Sequence, residues 1–90
     1  MKDKSGQLKC WVSEYDAVVR GDKTFEVRKN DRHFQKGDVL ELRVFDVKLP
    51  VNRQPEIPPA WRRVTFVLMG GQYGLESGYV ALGVRPIEAP

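Results

Sequence analysis

A chain of 90 residues holds one domain around one core, and its 41% hydrophobic and 30% charged residues are globular in balance, not disordered. A net charge of +3 and a pI near 9.2 permit an anionic partner without demanding one. Cys10 is the only cysteine and His33 the only histidine, which excludes an internal disulfide and leaves no set of residues for a cysteine- or histidine-built metal site.

No apolar run approaches the ~18–20 residues of a membrane helix. The opening MKDKSGQLKCW is charged and lacks the apolar segment of a signal peptide. The expected setting is a reducing cytoplasm, for a monomer with no membrane, metal or cofactor.

Residues 1–6 are polar and read as a loose tail. Leu8, Cys10 and Val12 alternate with Lys9 and Trp11, which predicts a short first strand. A two-turn helix follows, with Ser13 as N-cap and Glu14 and Asp16 in its first turn. Trp11, Tyr15, Val18 and Val19 recur at helical spacing, and Gly21 supplies the left-handed stop. Over 23–28 the period becomes two. Phe25 and Val27 point one way, as core; Thr24, Glu26 and Arg28 point the other.

Residues 30–38 are polar and turn-rich. Strand 39–47 places Leu40, Leu42 and Val44 inward and Glu41 and Arg43 outward. Residues 48–60 hold four of the six prolines, and proline cannot donate to a ladder, so this is a loop that tolerates insertion. Strand 61–69 aligns Val64, Phe66 and Leu68 on one face, with Phe66 in the core. Gly70-Gly71 ends it, 72–78 is a compact turn with a helical turn at Leu75-Glu76, and 79–84 is the last strand, stopped by Pro86. The fold class is α+β: a small β-barrel of about five mostly antiparallel strands with one N-terminal helix, closed so as to remove exposed edges.

The candidate chemistry lies early in the chain. Residues 20–36 carry Arg20, Lys23, Arg28, Lys29, Arg32 and Lys36 against Asp22, Glu26 and Asp31, a surplus equal to the whole chain's net charge. It reads either as a phosphate-contacting surface or as a solvated strand and loop. Lys23, Glu26 and Arg28 are either an exposed ion-pair ladder or a set that orients a polar ligand, Arg28 toward phosphate or a base edge and Glu26 toward an amino donor. Tyr73, in a Gly-rich turn, is either a stacking platform for a base or a lid on the barrel mouth. Glu76 becomes an acid–base candidate, beside Lys23 and Glu26, if its turn folds over the 23–28 face. Trp61 can be core or surface. Gly70-Gly71-Gln72-Tyr73-Gly74 lacks the spacing and lysine of a P-loop and reads as a turn.

Residues 21–28, GDKTFEVR, fit a pattern G-x-K-x-x-E-x-R that resembles the opening of the ASCH domain, a member of the PUA-like superfamily. The stretches KTFEVRKNDRHFQKGDVLELRVFD and GGQYGLESGYVALGV resemble one branch of it, short single-domain proteins of unknown function from phages and bacteria. The similarity runs from about Leu8 to Val84. It implies a PUA-type β-barrel with a helix over one end, a cleft lined by Lys23, Glu26 and Arg28, and a role in binding RNA or a nucleotide.

Some relatives hydrolyse the amide of N4-acetylcytidine with a Lys, a Thr and a Glu. Lys23 matches that Lys, but Glu26 stands at the Thr position and Thr24 lies two residues earlier. Other relatives cleave RNA, for which His33 or Lys23 with Glu26 would supply acid and base. Three readings follow: a binding module, a small hydrolase of a modified nucleoside or of RNA, and a phage-derived protein-interaction domain that uses the 48–60 loop.

Overall fold

The computed structural model describes residues 7–90. The expected loose tail lies outside them. Strand β1 (Gln7–Cys10) leads into helix α1 (Val12–Arg20), then β2 (Phe25–Lys29), β3 (Val39–Val44), a 3-10 turn at Val51–Arg53, β4 (Ala60–Met69) and β5 (Tyr79–Pro86). The five strands form one curled, half-barrel sheet in the order β1-β3-β4-β5-β2. Three pairings are antiparallel and β1–β3 is parallel. This is a small α+β, barrel-like fold. Its first two strands are its two edges, and α1 spans the connection between them.

The centre follows the expected alternation. Leu40, Leu42 and Val44 of β3 face inward, against Val64 of β4 and Val80, Leu82 and Val84 of β5. Each such side chain contributes about 1.5–3 kcal/mol by leaving water.

Several local expectations are corrected. The helix starts two residues early: Tyr15 N–H donates to Trp11 O at 2.9 Å, so Trp11 caps it with extended backbone and Ser13 lies inside. Val12 is therefore helical, not part of β1. Val18 is the buried residue of α1, while Trp11 and Val19 stay exposed. Gly21 does end the helix at φ 84°, and Asp22 and Lys23 N–H both donate to Ala17 O, turning the chain back along α1.

In β4, the register shifts between Val64 and Phe66. The extra residue of this bulge reverses the alternation, so Val64 and Val67 face the core and Phe66 is 63% exposed. Gly83 of β5 lies across from both Phe66 and Phe25, which places the two rings in one row on the outer face. In β2 the polar residues face in: Phe25 and Val27 are exposed, Glu26 is buried and Arg28 is half-buried.

The 70–78 turn contains no helical turn. Gln72 bridges Leu75, and Tyr73 and Gly74 between them have φ 53° and 79°, the signs of a type I′ turn. Gly70 is required there, because a Cβ would sit 2.1 Å from Glu76 O. The proline loop is less permissive than its composition suggests. The Gln54 carboxamide accepts from Asp46 N–H at 2.7 Å and donates to the carbonyls of Asp46, Leu49 and Pro50, and Tyr15 Oη donates to Pro58 O at 2.6 Å.

Candidate functional site

A sheet with edges β1 and β2 leaves a seam where they meet without a ladder. Side chains bridge it. Arg28 Nη2 on β2 lies 3.5 Å from Cys10 Sγ on β1, and Arg32 Nη1 donates to Gln7 O at 2.6 Å. The motif residues fill this seam, which explains the inversion of β2: its inward face meets a gap between strands rather than apolar core.

Glu26 is 1% exposed. Its Oε1 accepts from Arg28 Nη2 at 2.9 Å and Nε at 3.3 Å, a charge-assisted fork. Its Oε2 has one partner among the described residues, the Lys23 ammonium at 3.5 Å, a long contact beside the Arg28 fork. A carboxylate oxygen has two lone pairs, so with this one long contact Oε2 keeps room for a further N–H or O–H donor. Lys23 Nζ donates to Glu14 Oε1 at 2.5 Å. Chain reversal at Gly21 makes this possible, since the Lys23 backbone sits at Ala17, one helical turn from Glu14.

The charges tune one another. Burial lowers the Lys23 ammonium, but the hydrogen bond to Glu14 and the charge of Glu26 outweigh it and hold Lys23 above its ordinary value. The same hydrogen bond holds Glu14 below the usual carboxylate range. Burial, and then the Glu26 charge, push the Cys10 thiol up. Two cations face two carboxylates, so the cluster is balanced.

These groups line a cleft of about 160 Å³, with Trp11 and Lys9 at its margin. A wider groove of about 710 Å³ adjoins it through the shared walls Lys9 and Arg28. A third hollow, of about 540 Å³, lies on the other side of Lys23, against Phe25 and Val27.

The structure thus brings Lys23, Glu26 and Arg28 together around a buried Glu26, with both cations half-buried, rather than as an exposed ladder. It does not bring Tyr73, Glu76, Thr24 or His33 to them. All four are exposed and none lines the cleft. Tyr73 is 86% exposed at the tip of the β4–β5 turn, open as a stacking platform would be and not a lid on this cleft. Glu76 is in the same turn, beyond the far end of β2, because Gly78 O accepts from Asn30 N–H.

The family described as a domain of unknown function, DUF3850, matches residues 6–84. The chain belongs to the DUF3850 family. No curated protein matches it. The matched span contains β1 to β4, all but the last two residues of β5, and the whole seam, so the cleft lies within the family's domain.

Sequence reasoning missed Glu14 and Cys10. Glu14 read as helix-dipole chemistry and Cys10 as a strand residue. Only the chain reversal at Gly21 and the strand order place them beside Glu26. Among the described residues no group of three His, Cys, Asp or Glu is placed to hold a metal ion, and no helix is long and apolar enough to cross a membrane.

Proposed function

We propose that this DUF3850 chain is a binding module of the ASCH, PUA-like type that takes RNA or a nucleotide at the β1–β2 seam. The observation that carries the reading is Glu26 Oε2, a buried acceptor that lines the cleft and has only a long, 3.5 Å contact to Lys23. An exocyclic amino or ring N–H group of a nucleobase supplies that donor, as carboxylates accept from such groups elsewhere. Lys23 and Arg28 hold the carboxylate in place, while Tyr73, exposed at the β4–β5 turn away from the cleft, takes no part in it.

Binding is better supported than catalysis. Hydrolysis of an amide needs an activated nucleophile. Thr24 is exposed outside the cleft, and the one thiol in it, Cys10, is pushed up, away from the reactive thiolate. A buried thiol also suits the proposed cytoplasmic, monomeric setting.

Titration calorimetry with the four ribonucleoside 5′-monophosphates and a mixed-sequence single-stranded RNA hexamer tests the reading. Wild type binds at least one of them. Glu26→Gln, which keeps the shape but replaces one acceptor oxygen by a donor, loses about tenfold or more. Undiminished binding by a folded Glu26→Gln protein sinks the assignment.

A further inference from the structure

We infer that the ligand is a strand of several nucleotides rather than a single one, with a base edge in the seam cleft and its neighbouring phosphates in the adjoining groove between β1, the end of β3 and the proline loop. The inference rests on the binding reading above and names its substrate class.

Size is the first argument. The cleft, at about 160 Å³, is below the ~300–1,000 Å³ of pockets that enclose a whole ligand, whereas the groove at about 710 Å³ is within that range. The cleft admits the edge of a base, and the rest of the molecule lies outside it. Lys9 and Arg28 line both spaces, so the natural continuation is the groove.

Charge is the second argument, and it separates the two spaces. In the cleft, Lys23 and Arg28 are matched by Glu14 and Glu26, so its one surplus cation is Lys9, at the wall it shares with the groove. The groove is lined by Lys9, Arg28, Arg32 and Arg43, and none of its described lining residues is a carboxylate. Arg43 pairs with Glu41, which itself does not line the groove, and Arg32 donates to Gln7 O, so both guanidinium groups are positioned side chains. Phosphate contact is therefore assigned first to Lys9, and to Arg43 on exchange of its Glu41 partner for phosphate, rather than to the motif cations. The third argument is the ring. Phe45 lines the groove with Lys9 Nζ 4.6 Å from its centroid, an aromatic face beside a cation, the combination on which single strands are carried.

The test compares length and charge together. Affinities of wild type, Lys9→Gln, Arg43→Gln and the double variant are measured for ribonucleoside 5′-monophosphates and for single-stranded RNA hexamers between 50 and about 200 mM salt. Both residues are exposed, so the variants fold. Wild type is expected to bind a hexamer about tenfold or more tighter than any monophosphate. Each substitution is expected to lower the hexamer's log–log salt slope by about 0.7, and Arg43→Gln, which lies outside the cleft, to leave monophosphate binding unchanged. Equal affinity for hexamer and monophosphate, or a hexamer advantage that survives in the double variant, overturns the groove and leaves the cleft reading standing. Binding to neither probe removes both.

Discussion

Beneath β3, β4 and β5 the interior is apolar, and each strand has a hydrogen-bonded neighbour on both sides. Leu40, Leu42, Val64, Val80 and Leu82 are all essentially inaccessible there. At the seam between β1 and β2, the same interior holds a buried carboxylate, two cations and a thiol, and no ladder joins the strands. The ladders and aliphatic side chains give the first region its stability. Ion pairs taken from water gain little over apolar residues of similar volume. A charged seam is therefore expected where a ligand, rather than the fold, requires the charges.

Paired substitutions break or sharpen that contrast. Leu82→Ala removes a fully buried side chain from the centre and is expected to cost about 2–5 kcal/mol, read as a lower urea midpoint. The combined change Lys23→Met, Glu26→Leu and Arg28→Met is expected to unfold within about 1 kcal/mol of wild type, or later, while RNA binding disappears. If the triple variant is as unstable as Leu82→Ala, the seam is a structural element and the contrast fails.

A smaller effect follows from pH. Glu14 is lowered in the fold, so its contribution is present above its unfolded value near 4.3 and is lost as pH falls through the folded one. Cys10 and Lys23 are raised, so theirs are complete below about 8.5 and about 10.4 and are lost as pH climbs through the folded values. The urea midpoint is thus expected to be flat from about pH 5 to 8 and to fall on either side. Cys10→Ser should move the alkaline onset from near 8.5 toward 10. An unmoved onset would mean that the thiol does not sense the seam.

Much of the centre is legible in the sequence. Strand β3 alternates cleanly because one face meets core and the other solvent, and Gly21 marks the helix end because its backbone must turn left-handed there. Strand β4 misleads because one bulged residue reverses the phase, so Phe66 reads as core and emerges on the surface. Strand β2 misleads for a different reason. Its alternation is correct but its sign is inverted, since the inward direction at a seam is polar.

The motif residues themselves were legible as a set. Their burial, and their company of Glu14, Cys10, Lys9 and Arg43, depend on a strand order that puts the first two strands at opposite edges of the sheet. No periodicity along the chain encodes that order. The same order leaves Tyr73 and Glu76 away from the cleft, although sequence alone allowed their turn to fold over it.

The most direct test is an NMR titration of the labelled protein with the single-stranded RNA hexamer at low and moderate salt. The account predicts shifts concentrated at Lys9, Cys10, Glu14, Lys23, Glu26, Arg28 and Phe45, weakening as salt rises. Shifts confined to the 70–78 turn, or none at any salt, would contradict it and leave the buried charges of the seam as scaffold.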